Sequence, residues 1–257
     1  MNLEAHLRAR RDQGRKLLVP YVTGGLGSQW TDVLRAIAAA GADAVEVGIP
    51  FSDPVMDGPT IQEASRRALE LGATPAGILD ELRNVDVDVP LVVMTYYNIV
   101  FRAGHERFAH SLAEAGVGGI ILPDVPMEEL GAWQPAAQAA GIQTVMLAAP
   151  ITPDDRMARL CQLSEGFVYG VNLMGVTGER STVGESTGVL AKRLKAMTDK
   201  PVIMGFGISS PETAVAAAAA SDGVVVASAL IRKLLDGGGP EEAAAFVGEM
   251  RAALDAG

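Results

Sequence analysis

The stretch Ala44–Gln62, AVEVGIPFSDPVMDGPTIQ, runs from an alternating strand through a turn-rich segment to the start of a helix. Strand side chains alternate between faces, so Val45, Val47 and Ile49 share one side, while Ala44, Glu46 and Gly48 share the other. The bulky set is expected to pack against helices, which leaves Glu46 on the opposite face between two neighbours, Ala44 and Gly48, small enough to leave room above it. Outward from this unit the same rhythm repeats in both directions. β-branched runs at 17–23, 43–49, 90–96, 118–124, 143–149, 167–171, 201–207 and 223–228 alternate with Ala-rich amphipathic stretches. Helices are expected at 31–40, 59–71, 105–115, 128–140, 153–163, 189–198, 211–220 and 243–254. Ser210-Pro211 and Thr152-Pro153 read as helix starts, and Gly41, Gly72, Gly116 and Gly141 as stops. No linker interrupts the pattern, so residues 1–257 are expected to form one domain, an α/β fold of the (β/α)₈ TIM-barrel type. An extra N-terminal helix over residues 1–13 is expected to cover the barrel bottom. An open doubly wound sheet is the alternative, because a count of strands does not prove closure.

Composition narrows the function. A formal net charge of -10, from 21 basic and 31 acidic residues without a basic cluster, argues against nucleic-acid or anionic-membrane partners. The longest apolar runs fall far short of the ~20 residues of a membrane span. The start, MNLEAHLRARRDQGRK, has no apolar signal core, so a cytoplasmic protein is expected. A single cysteine, Cys161, excludes an internal disulfide, and the three scattered histidines give no zinc-ligand spacing. No strand end carries a lysine for Schiff-base chemistry.

In a barrel the loops after the strands form the catalytic face, and Glu46 points into its mouth. An internal salt bridge would be the bland role for it, but no lysine or arginine falls at a neighbouring strand end. A glutamate in an apolar mouth without a cation has a raised pKa and exchanges protons near neutrality. Asp53, in Ser-Asp-Pro, fits a turn former that binds its own backbone. Asp57 precedes Gly58-Pro59, where helix cap and site acid are equally open readings. The strand ends GFGISS and VASAL place Gly207, Ala227 and Ser228 where backbone N–H groups and a helix N-terminus hold phosphate. The glycine-rich NLMGVTGERSTVGESTG (172–188) reads as a lid, with Gly178 bringing a further N–H. Tyr21, Tyr96 and Tyr169 also fall near strand ends. Together these residues suit carboxylate acid/base chemistry on a small phosphorylated molecule with apolar or aromatic character.

The runs VEVGIPFSDPVMDGPTIQ, GFVY…MGVTGER and MGFGISSPE resemble the tryptophan synthase α chain family from about Leu17 to the final helix. The resemblance implies cleavage of indole-3-glycerol phosphate to indole and D-glyceraldehyde 3-phosphate in a (β/α)₈ barrel without a cofactor. It implies that Glu46 protonates C3 of the indole ring and that Asp57 meets the indole N–H and stabilises the cationic indolenine. Tyr21, Ile61, Tyr96, Tyr169 and Thr177 would line the substrate site, and Gly178, Gly207, Ala227 and Ser228 would hold the phosphate. The implied partner is a PLP-dependent tryptophan synthase beta chain, in an α₂β₂ assembly that passes indole through a tunnel. Two departures stand out: VTGGLG has Leu26 and Gly27 where the family usually has Asp-Pro, and Ala227 replaces a common glycine, so its methyl is expected to crowd the anion.

Overall fold

Short β-branched runs that are buried on both faces need a closed or covered sheet, and this chain closes it. The structure, a computed structural model, describes residues 1–171, 183–205 and 207–257. The first half contains α1 (Leu3–Asp12), β1 (Leu17–Thr23), α2 (Trp30–Ala39), β2 (Val45–Gly48), α3 (Pro59–Glu70), α4 (Pro75–Leu82), β3 (Leu91–Met94), α5 (Tyr97–Ala103), α6 (His105–Glu114) and β4 (Val117–Ile121). The second contains α7 (Trp133–Ala139), β5 (Gln143–Ala148), α8 (Asp154–Leu163), β6 (Val168–Gly170), α9 (Val183–Lys195), β7 (Val202–Met204), α10 (Pro211–Ala218), β8 (Gly223–Val226), α11 (Ser228–Leu235) and α12 (Pro240–Ala256). Each strand pairs in parallel with its sequence neighbours, and β8 returns to β1 with Leu17 opposite Gly223. The (β/α)₈ expectation therefore holds, and the open sheet is excluded.

Two apolar layers follow from strand alternation. Val45, Val47 and Ile49 join the outer core between strands and helices, as expected. Leu17, Val19, Ala44, Val92, Ile121, Val145, Phe167, Tyr169, Ile203 and Val225 fill the lumen. Leu3 and Leu7 of α1 join the lumen cluster and are fully buried, so α1 plugs the barrel bottom; each leucine contributes about 2 kcal/mol by leaving water. Asn2 caps α1 by accepting from the Ala5 N–H at 2.8 Å.

The helix starts show where local signals succeed and fail. Ser210 caps α10 in a capping box with Thr213, with Pro211 in the first turn. Thr152 does not cap α8: its hydroxyl accepts from the Ala149 N–H, and the cap position falls on Pro153. The single helix expected over 128–140 is a short 3₁₀ turn, Met127–Glu129, followed by α7. Pro135 lacks an N–H and crowds the carbonyl four residues back, so it is tolerated only in the first turn of a helix that starts after Gly131. The short helices α4 and α5 are additions to the expected set, while α11 is the helix expected after VASAL.

At the bottom, buried Asp43 precedes β2 and accepts from Arg15 Nε at 2.7 Å, Arg251 Nη1 at 3.2 Å and the Leu18 N–H at 2.9 Å. This network ties α12 to the strand that carries Glu46. Removing one partner of a buried ion pair leaves uncompensated charge. Arg251→Met should therefore lower the unfolding free energy by about 3 kcal/mol in chemical denaturation. A loss below about 1 kcal/mol would mean that Arg15 and the backbone alone satisfy Asp43.

Candidate active site

Glu46 belongs to the lumen row of β2, two residues after Ala44, and is only 1% exposed. Its Cα is paired with Tyr21 on β1 and with Val92 on β3. Its Oε2 is buried and accepts no hydrogen bond, and no lysine or arginine among the described residues forms an ion pair with it. Burial pushes the Glu46 carboxyl up to about 8, and the nearby Asp57 carboxylate adds to the shift. The group is consequently a carboxylic acid at neutral pH, able to donate a proton.

The space beside Glu46 differs from the sequence expectation. Gly48 does not leave open room, because the Tyr21 phenol lies across it and would overlap any Cβ placed there. Tyr169 lies across Gly205 in the same way. In both cases the tyrosine stands opposite one residue of the next strand, Glu46 or Ile203, and the glycine comes two residues later. The two phenols thus lean over glycines around the lumen. Burial raises the pKa of both, so both remain neutral hydroxyls.

Asp57 sits in the loop between β2 and α3. The helix is capped by Gly58 with no side-chain cap bond, so the capping role is not taken. Its carboxyl lies near the Tyr96 hydroxyl; burial pushes its pKa up to about 6, and the nearby Tyr96 hydroxyl acts the other way. The same hydroxyl accepts from the Met56 N–H at 3.0 Å, and the Tyr96 ring stacks on Phe51 with centroids 5.0 Å apart. Tyr96 itself is not in a strand but is the N-cap of α5. Phe51 had no distinguishing signal in the sequence, since its role depends on a ring two loops away. Asp53 is exposed and accepts from the Ser52 hydroxyl at 2.6 Å, while its backbone carbonyl, not its side chain, makes the turn bond to Val55.

Ile61, in the first turn of α3, packs with Tyr21, Ala64, Ile231 and Leu235 in a small cluster above β1. That cluster joins α3 to α11, as do Arg232 Nη2 to Thr60 Oγ1 at 2.8 Å and Arg67 Nη1 to the Leu235 carbonyl at 3.0 Å. Ala227 caps α11 without a side-chain bond, so the first-turn N–H groups from Ser228 onward have no cap from it. Ala227 lies against the Tyr21 cluster. Gly207, three residues beyond β7, has φ of 64°. Thr177, Gly178 and the expected lid lie largely or wholly outside the described residues. Leu26 folds against the Tyr21 cluster and Gly27 takes φ of 81°, which a proline ring forbids, so this loop has a path that Asp-Pro could not follow.

A closed parallel barrel bearing two carboxyls of raised and unequal proton affinity at the C-terminal ends of its strands defines a TIM-barrel enzyme of the acid/base kind. A family profile described as "Tryptophan synthase alpha chain" matches residues 7–253, and the chain belongs to that family. It is 44% identical over 204 residues to the tryptophan synthase alpha chain of Prochlorococcus marinus, covering 78% of this chain and 74% of that one. It is 43% identical over 210 residues to the Bacillus cereus alpha chain, covering 80% and 81%. Tryptophan synthase subunit alpha of Legionella pneumophila superposes with a TM-score of 0.91 at 31% identity, over 100% of this chain and 99% of that one. A tryptophan synthase structure from Mycobacterium tuberculosis gives 0.90 at 36%, over 98% and 97%. The chain is thus the indole-3-glycerol phosphate lyase of tryptophan biosynthesis, the enzyme of the alpha reaction.

The Glu46 pKa has a consequence for stability. The folded chain holds this proton up to about 8, whereas an unfolded chain releases it near 4.5, so the folded state carries the extra proton between these values. Stability therefore falls as pH rises through that window. In Glu46→Gln this effect is absent, and the variant's stability advantage should grow from about pH 5 to about pH 9 in denaturant titrations. An advantage independent of pH would show that Glu46 is not held protonated.

Proposed function

We propose that Glu46 and Asp57 perform the alpha reaction as an acid and a counter-anion, and the observation carrying this is their unequal environments. Glu46, unpartnered in the apolar lumen, keeps its proton near neutrality; Asp57, beside Tyr96, loses its proton about two pH units earlier. The Glu46 carboxyl gives its proton to C3 of the indole ring, and the ring nitrogen becomes cationic. The Asp57 carboxylate accepts the indole N–H and steadies that charge. The bond from C3 to the glycerol chain then breaks, and its electron pair restores the aromatic indole. The proton of the adjacent chain hydroxyl leaves to the Glu46 carboxylate just formed, so an aldehyde departs and the acid is regenerated.

Tyr21, Ile61, Tyr96 and Tyr169 line the ring end in this reading, with Thr177 as an expectation from the family. The phosphate sits on the N–H groups of Gly207, Ala227 and Ser228, with Gly178 as the lid's contribution. The N-terminus of α11 supports this end, because an uncapped helix start favours an anion. The chemistry runs on the chain's own acids and needs no cofactor, and the chain acts as one barrel domain.

A PLP-dependent beta chain docks on the catalytic face in an α₂β₂ assembly. Support comes from the exposed apolar residues there: Val55 in the loop after β2 at 79%, Phe101 in α5 at 65% and Ile151 in the loop after β5 at 83% exposure. The cytoplasm is the proposed compartment; among the described residues no helix is long and apolar enough to cross a membrane.

Glu46→Gln should abolish indole release from indole-3-glycerol phosphate, by at least about a hundredfold, while glycerol 3-phosphate binding stays within about twofold. Asp57→Asn should also remove most turnover. The pH profile of wild-type kcat/KM should be bell-shaped, rising as Asp57 ionises at about 6 and falling as Glu46 ionises at about 8. Normal turnover by Glu46→Gln would end the proton-donor assignment.

A further inference from the structure

Asp124 lies just beyond β4, between Pro123 and Pro126, on a loop with little backbone freedom. Its carboxylate accepts from the Tyr97 N–H with both oxygens, at 2.9 and 3.2 Å. Tyr97 is the first residue of α5, and the cap residue Tyr96 supplies no side-chain cap of its own. A residue from the neighbouring strand end therefore closes the N-terminus of this helix, where a carboxylate also meets the positive end of the helix dipole. Among the described residues no cation pairs with Asp124, so the helix start has its charge undivided.

What makes this cap matter is the residue it holds. Tyr96 immediately precedes Tyr97, and its hydroxyl accepts from the N–H of Met56, the residue before Asp57, at 3.0 Å and lies near the Asp57 carboxyl, whose pKa it lowers. The Asp124 charge also disfavours loss of the Tyr96 proton, which keeps that hydroxyl a donor. One chain of contacts thus runs from Asp124 through the α5 start and the Tyr96 phenol to the Met56 backbone, which Asp57 adjoins. We propose that Asp124 is a positioning residue of the alpha reaction: by capping α5 it fixes Tyr96, and through Tyr96 it places the Asp57 carboxylate against the substrate ring. This rests on the role assigned above to Asp57.

The test is steady-state cleavage of indole-3-glycerol phosphate by the full chain, comparing wild type, Asp124→Ala, Asp124→Asn, Tyr96→Phe and the Asp124→Ala/Tyr96→Phe double variant. Asp124→Ala should lower kcat roughly tenfold, as expected for a displaced reacting group, with KM and glycerol 3-phosphate binding within about twofold. Asp124→Asn retains an acceptor oxygen and should recover most of the loss. The double variant should be no worse than the poorer single one, because both changes break the same chain. Weaker Tyr96 contact raises the Asp57 pKa, so the acid limb of kcat should move to higher pH in Asp124→Ala. Groups facing Asp57 from the packed elements, Glu46, Tyr21, Tyr96 and Tyr169, are unchanged in that variant. If the alanine variant fails to fold, Asp124→Glu displaces the acceptor while keeping the charge and reads the same quantities.

An unchanged kcat, independent multiplying effects with Tyr96→Phe, or a rise in KM alone would overturn the positioning role. Full turnover by Asp57→Asn would instead overturn the Asp57 assignment beneath it. An inactive Asp57→Asn beside an unaffected Asp124→Ala overturns the positioning role only.

Discussion

The burial of one carboxyl without a cation is the constraint on which the site depends. Water would stabilise an ionised Glu46, and so would a guanidinium, but among the described residues the lumen offers neither a paired cation nor a hydrogen bond to Oε2. Leaving such a group in apolar surroundings costs stability unless it stays protonated. The barrel therefore holds a proton at the top of β2, and that proton is what the proposed chemistry requires. A neutral side chain of the same shape would suit the fold better, so the cost is understandable only in terms of function.

The rest of the molecule makes that burial possible. The lumen around Glu46 is filled by Val19, Val92, Ile121 and Phe167, and α1 seals its bottom with Leu3 and Leu7. Beside it, Tyr21 and Tyr169 reach over glycines that no other residue could replace without overlap. The Asp43 network fixes the lower end of β2 with ion pairs, while the upper end carries an acid deprived of them. One short strand thus separates a satisfied carboxylate from an unsatisfied acid, and the difference is made by which loops meet each end.

Much of the fold was legible because it rests on local periodicity. The β2 alternation placed Val45 and Val47 outward and Glu46 inward, and eight repeats of strand and helix gave the barrel. Features made by tertiary contact were hidden. The α5 start is invisible locally because its cap comes from Asp124, on another strand's loop. Gly48 looked like free space, since nothing nearby in sequence shows that Tyr21 will occupy it. Asp57 was ambiguous between cap and acid for the same reason: its partner, Tyr96, is 39 residues away in the chain. Family resemblance, not spacing, pointed to its role.

The cluster of Tyr21, Ile61, Ala64, Ile231 and Leu235 gives the mouth a common support. The loop bearing Asp57 leads into α3, and the proposed phosphate end opens α11; both helices rest on the same tyrosine and are joined by Arg232 and Arg67. On the proposed assignment, a substrate spanning the mouth touches the starts of both helices at once. Binding energy from the non-reacting phosphate can then be used to hold the ring against Asp57 and Glu46, because the two ends cannot move apart without breaking this packing. Leu26, folded onto the same cluster by a loop that needs a positive φ at Gly27, belongs to that support as well. The departure from the family's Asp-Pro therefore lies in the scaffold that sets the distance between ring and phosphate, while the acids themselves are retained.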